Sequence, residues 1–300
     1  MHKLRKIQIP KKSGGSRTIY VAPRRGKARK TWDGRARAVA AIVADLAPEG
    51  VLHGFTAGRS PLTNAATHAG HSHVLQMDLS DFFDHCTPEL IERGLTPLAA
   101  KEWIAASARA DAKALGDECC IDGAARQGLP SSPACANAAG IPMDREILTA
   151  LPDGVTYTRY ADDLTFSADD PALLRPLRAT VARIAPRHGQ AVNTAKTRMQ
   201  CATAGRLVIT GVAVAPDGSL HATKACRRRL RAARHNCAQL DAQADAMPPV
   251  QAAIFLGVHK RQFQELNGLE SWARAVALGP TGHTTIYDHD RETACQDGAA

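Results

Sequence analysis

The chain has 300 residues and a mass of 32.0 kDa, room at roughly 100–200 residues per domain for one large domain or two modest ones, each with a real core. Its 44% hydrophobic and 22% charged residues argue against wholesale disorder, and the apolar run 38–43, closed soon after by Asp45, is far too short to cross a bilayer. Thirty-eight Lys and Arg against 29 Asp and Glu leave a formal charge of +9 and a pI near 9.3, a surplus that points to an anionic partner, nucleic acid first.

In chain order, Ser13-Gly14-Gly15 is a turn signal and 17–21 alternates after it, so a hairpin strand is expected there. An amphipathic helix follows over 36–46. Ser60-Pro61 has the form of an N-cap and first helical residue, opening a helix to about residue 69. A short strand over 74–77 ends in acidic and aromatic residues. Thr87-Pro88 starts another helix, and Ser132-Pro133 opens one through about 148. Strands over 155–160 and 164–167 are joined by Ala161-Asp162-Asp163, and 171–188 is expected as one long helix. A strand over 207–214 precedes the turn signal Pro216-Asp217-Gly218, and the remainder is helical and basic with a break at Pro248-Pro249. Helices mixed with hairpin strands, without regular βαβ alternation, indicate an α+β protein with an antiparallel sheet backed by helices.

Positive charge crowds the first segment and recurs at Lys224, Arg227, Arg228, Arg229, Arg231 and Arg234, bracketing an acidic middle; two such runs suggest a groove that tracks a phosphate backbone. The eight cysteines form no C-x-x-C pair, and the basic N-terminus lacks the apolar stretch of a signal peptide. Free thiols, a cytoplasmic setting and no membrane partner are the expectations.

The chemistry concentrates in two places: Asp78-Leu-Ser-Asp-Phe-Phe83 after a short strand, and Tyr160-Ala-Asp162-Asp163 between two strands. A bare Asp-Asp in a turn is ordinarily just a turn, because Asp bonds nearby backbone amides. Here apolar Leu164 and Phe166 place the pair between buried strands, where repelling charges are costly without a cation. A third carboxylate at the end of the other strand makes an oxygen-rich site suited to Mg²⁺. Two such ions could activate a hydroxyl and stabilise a leaving pyrophosphate.

At these residues the sequence resembles the reverse transcriptases. The Tyr160–Asp163 tetrad looks like their catalytic signature. In the family's order stand Ile9-Pro-Lys-Lys-Ser-Gly-Gly-Ser-Arg17, the Asp78 motif, Gln127-Gly-Leu-Pro-Ser-Ser-Pro133, Asn193-Thr-Ala-Lys196-Thr197 and the segment 207–214. Asn64-Ala-Ala-Thr-His68 and Ile209-Thr210-Gly211 resemble elements of the retron-type enzymes, with Ile in place of Val in the second.

The resemblance implies a right-hand polymerase: fingers in 1–53, palm in 54–85 and 127–215, an insertion in 86–126 and a basic helical thumb in 216–300. Asp78, Asp162 and Asp163 would be catalytic and hold two Mg²⁺ ions. Lys11, Lys12 and Arg17 would grip the triphosphate. Phe83 would block a 2′-OH, with Phe82 beside it in the core. Gln127 and Gly128 would meet the incoming nucleotide, and Lys196 would assist pyrophosphate departure or be a solvated helix-end lysine. Asn64, His68, Thr210 and Gly211 would take part in RNA recognition, and Arg227, Arg228 and Arg231 would follow the duplex. Trp272 and Tyr287 would stack on bases or fill a small core. The partners implied are a cognate noncoding RNA serving as template and primer, deoxynucleotides, an RNA–DNA product and a separate effector protein in antiphage defence. Two other readings stand beside this one: another reverse transcriptase lineage of the abortive-infection type, and a nonenzymatic RNA-binding module with a decayed palm.

Overall fold

The structure is a computed structural model that describes residues 4–11, 14–96 and 106–280, with 106–110 described by backbone alone. The described residues divide into two compact units, one formed by those up to Ser60 with those of His71–Cys201, the other by Pro61–Gly70 with those from Ala202 onward.

In the first unit, β1 (Arg5–Pro10) and β2 (Ser16–Val21) form the expected antiparallel hairpin, with Ile7 opposite Ile19. The hairpin is mostly exposed; Tyr20 anchors it by packing with Trp32 and Leu129. Helix α1 (Gly26–Leu46) begins ten residues before the expected start at 36. Lys27, Arg29 and Lys30 are straight-chain residues that favour helix, and Arg29 donates to Asp33 one turn on at 2.8 Å, so the basic stretch continues the helix outward.

The central sheet has the order β4-β5-β3-β6, antiparallel throughout. Its strands are β3 (His73–Leu79), β4 (Thr156–Tyr160), β5 (Asp163–Ala168) and β6 (Val192–Cys201). The core lies where β3 and β5, buried along nearly their whole length, meet α6 (Ser132–Thr149). The α6 face is built of Ala134, Ala136, Ala138 and Ala139, small residues that let neighbours approach closely, with Ile141, Met143 and Ile147 filling the depth. Around it pack α4 (Pro88–Leu95), capped by Thr87, α5 (Ala106–Cys119) and α8 (Leu177–Arg187). The short α3 (Phe82–His85) follows β3, and α7 (Pro171–Leu174) precedes α8.

The single helix expected over 171–188 is thus two, because Pro176 has no N–H to continue the ladder. The 192–201 segment is a strand, which places Lys196 in mid-strand and corrects its reading as a helix-end lysine.

In the second unit, β7 (Leu207–Ile209), β8 (Val212–Val214) and β9 (Leu220–Ala222) form an antiparallel sheet against which α2 (Pro61–Thr67) packs. The strand expected over 207–214 is folded in half at Thr210-Gly211, with φ of 46° and 81°, the pattern of a type I′ hairpin turn. Helices α9 (Lys224–Asp245), α10 (Pro249–Val258) and α11 (Lys260–Leu278) complete the unit, the break falling at Pro248-Pro249 as expected. The seven described cysteines are free thiols, and no described helix is long and apolar enough to cross a membrane. Cys295, Tyr287 and Lys12 lie outside the described residues.

Candidate functional site

Antiparallel pairing brings the acidic motifs together. Asp78, near the end of β3, stands directly opposite Asp163, the first residue of β5, so the two side chains share one face of the sheet. Asp162 occupies the turn between β4 and β5, and its carbonyl accepts from the Leu79 amide at 2.9 Å, which clips the turn to β3. Burial raises the Asp162 carboxyl above its usual range, and the Asp78 charge adds to the rise. Asp163 is pushed up to about 6, first by burial and then by the charges of Asp162 and Asp78. Lys196, reaching in from β6, donates to both Asp78 oxygens at 2.9 and 3.0 Å, and that bond holds its own ammonium above the usual lysine range.

As the side chains stand, no group of three His, Cys, Asp or Glu among the described residues is gathered to hold a metal ion. In this arrangement the positive charge beside Asp78 is the Lys196 ammonium. The donor set nevertheless suits a hard divalent cation: carboxylate oxygens only, in a place where burial already penalises the negative charges of Asp162 and Asp163.

A buried network supports the turn. Ala161 has φ of 56°, at the first central position of a two-residue hairpin loop where glycine is usual. Its carbonyl accepts from the Arg159 guanidinium at 3.3 Å. Arg159 and Asp144 are both fully buried and joined by three bonds of 2.8–3.0 Å, with Tyr157 also donating to Asp144 and Asn137 accepting from Arg159. Nothing in the sequence marked Arg159 or Asp144, since a charged pair inside a core has no periodic signature.

In front of Asp78 and Asp162 opens a cleft of about 1610 Å³. Lys11, Arg17, Phe83, Gln127, Gly128 and Lys196, each expected at a nucleotide site, all line it; Asp163 does not. Lys11 is tied to Asp81 at 3.3 Å, while Arg17 adds positive charge facing Asp162. Gly128 is also needed for the packing of its loop on β2. A Cβ there would lie 2.3 Å from the Tyr20 carbonyl oxygen, so the loop lies flat on β2, and the Tyr20 amide donates to the Gln127 carbonyl at 2.8 Å. Arg126 fastens the same loop, donating to Asp84 at 2.6 Å and to the Asp122 carbonyl. Phe55, unmarked in the sequence, lines the cleft beside Phe83; Phe82 is in the core, as expected.

The remaining candidates belong to the second unit. Asn64 on α2 and His68 in the turn just after it are fully buried, and the Asn64 amide donates to the Thr210 hydroxyl at 3.4 Å. Thr210 in turn donates to the Pro61 carbonyl at 3.0 Å. The two retron-like elements therefore meet each other: the helix braces the hairpin turn, and of the four residues Gly211 is the exposed one. Arg227, Arg228 and Arg231 are exposed on α9 with no ion-pair partner among the described residues, whereas Arg229 and Arg234 are held by Glu265 and Glu270. Trp272 is half-buried on α11.

Residues 9–259 match the family model of reverse transcriptase (RNA-dependent DNA polymerase). The sequence is 37% identical over 244 residues to the retron Mx65 reverse transcriptase of Myxococcus xanthus, covering 76% of this chain and 54% of that protein. It is 33% identical over 276 residues to the retron Mx162 enzyme of the same organism, covering 85% and 52%. To the retron Ec86 reverse transcriptase of Escherichia coli it is 32% identical over 202 residues, covering 67% and 59%. The chain spans about half the length of these curated relatives. Among solved structures, Candida albicans telomerase bound to a fragment of telomeric RNA aligns with a TM-score of 0.55 at 12% identity, over 73% of this chain and 46% of that one, a likeness of fold.

Proposed function

The chain belongs to the reverse transcriptase family, and from that premise we propose that it is an RNA-directed DNA polymerase of the retron type. The observation that carries this reading is the pairing of Asp78 with Asp163 across the sheet, beside a cleft lined by Asp78, Asp162, Arg17, Phe83 and Gln127. Its template and primer would be a structured noncoding RNA. A 2′-OH of that RNA would be the first nucleophile, giving a branched RNA–DNA product, and the biological role would be antiphage defence with a separate effector protein. The curated retron relatives support the retron reading.

Each residue has a task that follows from its chemistry. Asp78 and Asp162, with Asp163 behind them, would hold Mg²⁺, which when bound supplies charge neutralisation at the attacking and leaving oxygens. Arg17 presents a planar fork to phosphate oxygens, which a lysine would meet only as a point charge. Lys196 lines the same cleft, and its ammonium, released from Asp78, would supply a proton to departing pyrophosphate. Phe83 fills the space that a 2′-OH would need. In each cycle the primer hydroxyl gives up its proton to water, its oxygen bonds to the α-phosphorus of the deoxynucleotide, and pyrophosphate leaves with the broken bond's electrons.

Primer extension by the full chain, coexpressed with its flanking locus, tests the reading. The native protein should yield small DNA whose gel mobility shifts on RNase treatment. Asp162→Asn should lower incorporation by about 10³-fold, the scale of several kcal/mol of lost charge stabilisation. Equal incorporation by native protein and Asp162→Asn refutes the metal assignment.

A further inference from the structure

Phe55 is 45% exposed, a large apolar ring turned toward solvent in the cleft. Its φ of 59° lies in the left-handed region, strained for a bulky residue. The segment around it explains how the strain is held. A Cβ at Gly54 would lie 2.4 Å from the Ala161 amide nitrogen, so only glycine lets this segment rest on the Asp162 turn. The Gly54 carbonyl accepts from the Asn137 amide at 2.8 Å and from the Thr56 hydroxyl at 3.2 Å, and the His53 amide donates to the Arg159 carbonyl at 2.9 Å. Pinned on both sides, Phe55 cannot relax into an ordinary loop conformation.

The clamp delivers one contact. The Phe55 ring centroid lies 6.1 Å from that of Phe83, at an angle of 56°. Phe83 lies 5.9 Å from Phe82 at 60°, and Phe82 is in the core. Three rings thus run from the core to the cleft with Phe83 in the middle, at separations where aromatic pairs attract. A ring that excludes a 2′-OH must resist being pushed aside. Without Phe55, the open side of Phe83 would face solvent.

We infer that Phe55 is a positioning residue for sugar selection: it braces Phe83 against rotation, so that a ribonucleotide meets a fixed wall. The inference rests on Phe83 being the sugar gate.

The test is single-nucleotide incorporation by the full chain, read as the ratio of kcat/KM for a deoxynucleotide to that for the matching ribonucleotide. Phe83→Ala should collapse the ratio. Phe55→Ala should lower it about tenfold, the size expected when a pocket loses part of one bulky contact, chiefly through faster ribonucleotide use. Phe55→Tyr, which keeps the ring, should restore it. Phe55→Ala in the Phe83→Ala background should change nothing more, because the brace acts through the gate. A native ratio in Phe55→Ala, with a collapsed one in Phe83→Ala, overturns the brace and leaves the gate standing. Multiplying effects in the double variant also overturn it. A native ratio in Phe83→Ala removes gate and brace together, and a native protein that incorporates neither nucleotide removes the polymerase reading along with both.

Discussion

Asp163 shows what a half-buried carboxylate among other carboxylates costs the fold. Its carboxyl titrates near 6, against 3.8 for an unperturbed aspartate, because burial and the charges of Asp162 and Asp78 disfavour ionisation. Below about 3.8 folded and unfolded chains both carry the proton, and the residue is neutral to stability. As pH rises from there the unfolded chain releases its proton more readily, so the penalty grows and is complete above about 6. Asparagine at 163 cannot ionise. In the presence of a chelator, Asp163→Asn should therefore be more stable than the native chain at pH 7.5, by up to about 3 kcal/mol, with the gain vanishing as pH falls below about 4. Urea unfolding at the two pH values checks this; a gain of the same size at both would mean that ionisation is not the cause. The acidic residues were legible in the sequence because Asp-Asp between apolar strand residues contradicts burial unless something compensates. Phe55 was not legible: one aromatic after a glycine in a loop carries no pattern, and its meaning lies in a backbone angle and a neighbour 28 positions away.

Elements were legible where their signal is local. Thr87-Pro88 and Ser132-Pro133 mark helix starts that the structure keeps, and Pro248-Pro249 marks a real break. The β6 strand was missed because its exposed residues follow no two-residue alternation, so its place is set by pairing with β3 and not by its own pattern. The 207–214 run looked continuous because only tertiary bonds, from Thr210 to Pro61 and from Asn64 to Thr210, explain a threonine at positive φ in its middle. The same holds for the bond between β4 and α6. Arg159 and Asp144 are wholly buried, so each depends on the other to neutralise its charge. Arg159→Met should cost about 3–5 kcal/mol, because Asp144 is left buried and unpaired. Arg159→Met with Asp144→Leu should cost less than the single change, since no lone charge remains. Denaturant midpoints decide it: a double variant less stable than Arg159→Met would show that packing around the guanidinium, and not the stranded carboxylate, dominates. Because Arg159 also holds the Ala161 carbonyl, the double variant should remain inactive even where it folds.

At the scale of the whole molecule, the surplus of nine positive charges matters less than which of them are free. On α9, Arg229 and Arg234 are engaged by Glu265 and Glu270 of α11 and serve to join two helices, whereas Arg227, Arg228 and Arg231 project without partners among the described residues. A cation already paired within the protein releases few counterions from RNA, so the two groups should differ in salt dependence even though their charges are equal. Affinity for a single-stranded RNA probe should fall with salt, and changing Arg227, Arg228 and Arg231 together to Gln should flatten the log–log slope by about 2, from roughly 0.7 per phosphate contact on a single strand. Arg229→Gln and Arg234→Gln should leave that slope nearly as it was and instead loosen α9 from α11, lowering the unfolding temperature. Binding isotherms across a salt series, with a melting curve for each variant, separate the two effects. If all five arginines contribute equally to the slope, the ion pairs open on RNA, and the division of α9 into a binding set and a structural set does not hold.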